Sequence, residues 1–214
     1  MPESAISHRR LATNTTVLPA WAAAEGSRGV ILTEALRLFA ERGYGSASVR
    51  DIAKLVGIKG ASLYSHFPSK AHVLAELLKI GHEEHFRRMR DALQAATPDP
   101  QSQLVALVRA HVCAHAEYAM LAVVSNTEMH ALPEEFAPPI LAVRRQSEML
   151  LLDIIQRGVN LGVFNVPDVQ LAMTAIGAMG LRVAHWYSPD SGKTPEQIAD
   201  IYAQFACRVL GINV

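Results

Sequence analysis

The stretch from Ser48 to Lys70, SVRDIAKLVGIKGASLYSHFPSK, constrains this chain most, because it must hold two helices and the start of a third within 23 residues. Ser48 and Asp51 have the S-x-x-D spacing of a capping box, which predicts a helix start there. Ile52, Ala53 and Val56 fall on one face of that helix, a buried stripe two turns long. Gly57 has no Cβ and takes without cost the left-handed conformation that closes a helix. A second short helix follows, pinned by Leu63 and Phe67 and stopped by Pro68. Two short helices across a glycine turn describe a helix-turn-helix, whose second helix enters a DNA major groove. An ordinary helical hairpin is the rival reading.

The second helix favours DNA. Lys59, Gly60, Ala61, Ser62, Tyr64, Ser65 and His66 are small, polar or basic, so only Leu63 and Phe67 remain as anchors. Ser48, Lys59, Tyr64, His66 and Lys70 are the candidates for phosphate contacts. Arg50, Lys59 and Ser62 are the candidates for base contacts, Ser65 completes the polar face, and Gly60 and Ala61 allow close approach. So few direct contacts per subunit predict that specificity leans on dimer spacing and DNA shape.

The run Phe39-Ala40-x-x-Gly43-Tyr44, Ser48-Val49-Arg50-Asp51-Ile52-Ala53, Gly57-Ile58, Ser62-Leu63-Tyr64-x-His66-Phe67 and Ser69-Lys70 resembles the N-terminal domain of the TetR family. That resemblance implies a ligand-responsive transcriptional regulator, most often a repressor. It would bind a palindromic operator in double-stranded DNA as a homodimer, joined through its last two long helices. It also implies an all-α fold: a three-helix DNA-binding domain over 27–75, then a helical effector-binding and dimerisation domain over 76–214. Residues 1–26 lack apolar periodicity and read as a mobile arm, in which His8, Arg9 and Arg10 are possible DNA contacts.

Net charge is zero, which by itself argues against a nucleic-acid binder. Residues 1–70, however, hold 9 Lys and Arg against 5 Asp and Glu, and the remainder holds 11 against 15. The positive half contains the proposed reader, as phosphate attraction requires. Half the residues are hydrophobic but only 6% are aromatic, which suits helices packed on helices. No apolar run is long enough to span a bilayer and no secretory signal is evident, so a cytoplasmic protein is expected. Cys113 and Cys207 then read as free thiols.

The apolar periodicity predicts about nine helices and no sheet. The first spans about Arg28 to Arg42, with Ile31, Ala35, Leu38 and Phe39 facing the helix-turn-helix. Gly43-Tyr44-Gly45 is not a dinucleotide fingerprint, since Ser48 stands at the third glycine position and no strand precedes it. A long helix from Ser69 to about Ala96 leaves the DNA-binding unit and enters the next domain. A fifth runs from Asp99-Pro100 to about Val124 and a short one from Ser125 to Leu132. Others cover about Pro139–Leu161, Asp168–Trp186 and Pro195–Leu210. The helix after Asp168 is rich in small residues, including Gly177 and Gly180. A mid-helix glycine costs about 1 kcal/mol against alanine, so close packing or room for a ligand must offset it.

Catalysis is not indicated and no cofactor is expected. His82 with His85, and His111 with His115, each share a helix face, yet the H-E-x-x-H of a hydrolytic zinc site is missing. No metal is assigned, and a helical metal-binding enzyme built on His111 and His115 is the rival of a different class. A mainly apolar cavity fits the second domain better, with Phe86, Met89, Leu107, His111, His115, Met120, Met149, Ile176 and Met179 as candidate lining. The segment Asn126–Leu132, with Gly158-x-x-x-Gly162-x-Phe164 and Trp186-Tyr187-x-Pro189, is similar to regulators of fatty-acid and sterol breakdown, several of which sense acyl-CoA thioesters. That resemblance implies a hydrophobic effector, an acyl-CoA in the first place, with Arg87, Arg88, Arg144 and Arg145 near the mouth for its phosphates. A drug-sensing regulator of efflux is the alternative.

Overall fold

A computed structural model describes residues 16–23 and 26–212, and in these the chain is helical without a strand. The helices are α1 (Ser27–Arg42), α2 (Val49–Val56), α3 (Gly60–Tyr64), α4 (Lys70–Ala95), α5 (Pro100–Glu117), α6 (Ala119–Thr127), α7 (Ala137–Asn160), α8 (Val169–Leu181), α9 (Val183–Trp186) and α10 (Pro195–Val209). The all-α expectation holds, and the four-residue α9 is the segment beyond the expected nine.

Local chemistry sets the ends of the early helices. The Ser48 hydroxyl accepts from the Asp51 amide, and the Asp51 side chain accepts from the Ser48 amide, a complete capping box for α2. Gly57 stands at φ 76° and ψ 26°. Its amide bonds Lys54 O at 3.3 Å and that of Ile58 bonds Ala53 O at 3.0 Å, the paired bonds of a Schellman turn. Arg28 ties the unit together from α1. Its guanidinium lies 4.1 Å over the Phe67 ring, donates to the His66 carbonyl at 2.7 Å and pairs with Glu76 on α4.

Two apolar cores lie along α4. The first gathers α1, α2, Leu63, Phe67 and the start of α4, and also takes Met120, Leu121 and Val124 from α6, Leu132, and Ile140 from α7. The second joins Met89 of α4 to α5, α7, α8 and α10. The packing division along α4 thus falls between Ile80 and Met89, later than the domain limit near residue 75 read from sequence. At about 1.5 Å per residue α4 is roughly 39 Å long, enough to reach both cores.

Three expectations need correction. The predicted fifth helix stops at Glu117, and α6 leaves it at 98°. Tyr118 stands at the break, held by Arg88, which lies 4.8 Å over its ring, and no proline or glycine marks the place. The short helix expected over Ser125–Leu132 is the end of α6 plus one 3₁₀ turn, Met129–Ala131. The long helix expected to reach Trp186 breaks at Arg182. Within the stretch read from sequence as a mobile arm, described residues are packed: Leu18 is buried in the first core, Thr16 donates to Met120 Sδ at 3.2 Å, and Trp21 Nε1 donates to Glu84 at 2.7 Å. His8, Arg9 and Arg10 lie outside the described residues.

Candidate functional site

The α2–α3 unit presents an exposed polar face. Arg50, Lys59, Ala61, Ser62, Tyr64 and Ser65 are exposed, while Gly60 and His66 are half-buried. Leu63 and Phe67 are buried beneath them and fix α3, a helix of only five residues that carries Ala61, Ser62 and Tyr64, with Lys59, Ser65 and His66 flanking it and Arg50 on α2. Tyr64 is 54% exposed, too much for a core residue of its size. Ser48 is exposed, but its hydroxyl is committed to Asp51.

Lys70 differs from the phosphate contact expected of it. Its ammonium donates to the carbonyls of Tyr44 at 2.8 Å and Ala47 at 2.7 Å, and sits 3.9 Å over the Tyr44 ring. Burial pulls its pKa below the ordinary value. Lys70 therefore closes the α1–α2 loop onto the start of α4, and two of its three donors are already used. Glu128, at the end of α6, reaches the same loop by accepting from the Tyr44 amide at 3.2 Å.

The second feature is a cavity of about 430 Å³ enclosed by α4, α5, α6, α7 and α8. That volume suits a drug-sized guest. Of the residues expected to line it, Met89, Leu107, His111, His115, Ile176 and Arg144 do. Phe86, Met120, Met149, Met179, Arg87, Arg88 and Arg145 are not on its wall. The reasons are physical. Met120 is buried in the first core, Met149 is exposed, and Met179 packs against the second core. Phe86 lies beneath Arg90, at 6.0 Å, and Arg145 is exposed. Arg87 and Arg88 both turn onto the buried carboxylate of Glu84, each at 2.7 Å, and Arg88 also reaches Glu117 at 2.7 Å. Burial raises the pKa of Glu84, but hydrogen bonds from Arg87, Trp21 and Arg88 outweigh it and hold the carboxyl below its ordinary value. These arginines neutralise an internal acid, which leaves Arg144 as the one expected cation on the wall. Its Nε lies 3.1 Å from Glu148, and exposed Thr174 and Ala178 of α8 line the same cavity.

The fold adds wall residues that the sequence reading kept apart. His82, Glu84 and His85 come from α4, Leu121 and Ser125 from α6, and Met173 and Gly177 from α8. The spacing of His82 and His85 was a visible signal, but nothing local shows that His85 faces the pair on α5. In the structure His85 Nε2 lies 2.7 Å from His111 Nδ1, and His111 Nε2 lies 3.0 Å from the Gly177 carbonyl. His115 Nδ1 lies 2.8 Å from the His111 carbonyl. Burial pushes all three imidazoles down, His115 to about 3, so the cluster is neutral at pH 7. Gly180 makes room for it, since a Cβ there would stand 2.1 Å from His111 Cδ2. The Gly158 and Phe164 spacing has a similar cause: a Cβ on Gly158 would meet the Phe164 ring at 2.1 Å.

An exposed helix-turn-helix joined by one long helix to an apolar cavity is an arrangement that known proteins share. Residues 31–77 match the bacterial regulatory proteins of the tetR family, and residues 97–210 match the tetracyclin repressor-like C-terminal domain. The HTH-type transcriptional repressor KstR2 of Rhodococcus jostii (strain RHA1) is 30% identical over 83% of this chain and 87% of its own length. A bacterial regulatory protein in the tetR family from Rhodococcus RHA1 superposes with a TM-score of 0.82 at 26% identity, over 89% of this chain and 100% of that one. The ketosteroid transcriptional regulator KstR2 of Mycobacterium tuberculosis gives 0.79 at 30% identity, over 89% and 96%. Matched in both domains and along most of its length, this chain belongs to the TetR family of DNA-binding transcriptional regulators and is not an enzyme.

Proposed function

We propose that the protein is a repressor that holds a palindromic operator as a homodimer and releases it when an apolar small molecule fills the cavity. One observation carries this reading: α4 and α6 each belong to the core beneath the reader and also to the cavity wall. Leu121 does both in one side chain. A guest that displaces α6 therefore acts on the Glu128 contact to the α1–α2 loop and on the packing beneath α1. Moving operator occupancy from 99:1 to 1:99 requires the guest to discriminate the two states by about 5.5 kcal/mol.

Dimerisation through α8 and α10 is supported by apolar side chains left outward there. Leu171 is 68% exposed, Phe205 42% and Val209 40%. A twofold dimer presents two readers to half-sites about 34–36 Å apart. For the effector, the apolar wall favours an acyl or ring system, and relatives named as ketosteroid regulators make sterol-derived acyl-CoA thioesters the first class to try. A whole CoA exceeds this cavity, so its phosphates would leave past Arg144.

The test uses DNA from beside the protein's own coding region. Fluorescence anisotropy should show binding that Lys59→Ala with Tyr64→Ala abolishes while circular dichroism stays unchanged. Unaltered binding by that variant sinks the assignment of the reader. Acyl-CoAs should raise the melting temperature and lower DNA affinity. If free sterols or drugs do so and acyl-CoAs do not, the effector class is wrong and the regulator reading stands.

A further inference from the structure

We propose that His85, His111 and His115 form a binding site for one divalent transition cation of the zinc class, set in the cavity wall with an open coordination position facing the cavity. The sequence pairs His82 with His85 and His111 with His115, and two imidazoles on one helix face do not complete a site. The fold regroups them. One nitrogen from each of His85, His111 and His115 lies within 4.8 Å of the others, and the three ring centroids are 4.5 to 5.2 Å apart.

The orientation of the rings is what raises this above a chance cluster. A carbonyl only accepts, so the His111 nitrogen facing Gly177 O must carry its proton, which leaves the lone pair on Nδ1. The His115 nitrogen facing His111 O must likewise be protonated, which leaves the lone pair on Nε2. Ligating histidines characteristically donate their other ring N–H to a carbonyl or carboxylate, and both α5 histidines are held in that way here. His85 donates its Nε2 proton to His111 Nδ1 in the metal-free state and needs only a tautomer shift to offer the lone pair instead. The 2.7 Å contact between those nitrogens must then open to the edge of a tetrahedron with bonds of about 2.0–2.1 Å.

Charge and access agree. The rings are uncharged at neutral pH, so no proton has to leave the cluster before a cation enters. Three neutral imidazoles suit zinc, nickel, cobalt or copper and offer nothing to calcium or magnesium, which require oxygen ligands. All three rings line the cavity, so a fourth ligand, water or a donor atom of the guest, approaches from that side. A second cluster, Cys113 with Glu117 and Glu196, competes poorly. Burial raises the Cys113 thiol to about 11, and Glu117 is already paired with Arg88.

The experiment reads metal alone, on untagged full-length protein stripped with chelator, and so is independent of DNA and effector. Titrated with Co²⁺, the wild type should take up a single equivalent at micromolar metal, with visible d–d bands and no thiolate-to-cobalt band in the near ultraviolet. His85→Gln should weaken uptake at least about tenfold. His130→Gln, at an exposed position outside the cluster, should leave it unchanged. No uptake by the wild type overturns the proposal, as does a thiolate band or uptake indifferent to His85→Gln. If His85→Gln misfolds, the wild-type spectrum decides alone, because of the two clusters among the described residues only the rival contains sulfur.

Discussion

Around the reader, helix ends are set by residues close in sequence, whereas around the cavity the decisive breaks carry no local mark. Ser48 with Asp51 starts α2 and Gly57 ends it. Tyr118, under the Arg88 guanidinium, and exposed Arg182 stand at the breaks of the cavity's helices, and neither is a proline or a glycine. The interiors differ in the same sense. Beneath the reader the core is wholly apolar and closed, with Leu63, Phe67, Leu74 and Leu77 at no more than 1% exposure. Around the cavity His82, Glu84, His111, His115, Ser125 and Ser147 are all buried. Buried polar groups cost stability unless paired, so the second region trades packing for a recognition surface.

The largest expected contrast comes from truncating one buried side chain in each region. Phe67 is 1% exposed and stacks under Arg28, so Phe67→Ala should cost about 3–5 kcal/mol and abolish DNA binding. Met89 is 3% exposed but borders the cavity, so it has fewer partners to lose and Met89→Ala should cost about 2 kcal/mol. Denaturant titration of both variants checks this, and equal losses would erase the distinction between a closed and an open interior.

Acid provides the next contrast. His82 is buried, its Nε2 has no hydrogen-bond partner among the described residues, and burial lowers its pKa to about 4. The unfolded chain takes up that proton near pH 6.5 and the folded chain does not. This contribution is therefore complete above about pH 6.5 and is lost as pH falls towards 4, on the order of 2–4 kcal/mol in all. His82→Gln should flatten the loss. The reader's His66 and His72 are only half-buried, so hydrogen exchange at pH 5 should rise first in α4 and α6 at the cavity. Earlier opening of α2 and α3 would contradict the comparison.

A smaller effect separates the two glycines of α8. Gly180→Ala drives a Cβ into the His111 ring and should cost about 1–3 kcal/mol. Gly177→Ala meets no atom within 4 Å in the subunit and gains helix propensity, so its effect should be nil or stabilising by up to about 1 kcal/mol. Melting curves distinguish them. A cost at Gly177 that grows with protein concentration would instead report packing against a second copy.

These contrasts also explain what could be read from the chain. The reader was legible because Ser48, Asp51, Gly57 and Pro68 act within a turn or two of their own positions. The long α4 was legible because Val73, Leu74, Leu77 and Leu78, and then Phe86, Met89 and Leu93, recur at helical spacing with no proline before Thr97-Pro98. The cavity was legible only as a class of space. Which methionines line it depends on how α7 and α8 are rotated, and Met149 and Met179 could not show that they turn away. Arg87 and Arg88 misled for a related reason. Their partner Glu84, three and four residues earlier, looks like an ordinary surface acid until the fold buries it. His85 joined His111 and His115 across helices, where no spacing records it.

The smallest effect is the most diagnostic, because it matches the local cost in both regions and lets function differ. Ser48 caps α2 and Thr194 caps α10, each in a complete capping box. Ser48→Ala and Thr194→Ala should each cost about 1 kcal/mol by denaturant titration. α2 has only eight residues and carries Arg50, so fraying its first turn displaces the reader directly. Ser48→Ala should weaken DNA binding several-fold beyond what its stability loss explains. α10 has fifteen residues and is held by the second core, so Thr194→Ala should leave DNA affinity unchanged. If both variants lose DNA affinity equally, the two regions form one cooperative unit, and α4 and α6 transmit strain even without a guest in the cavity.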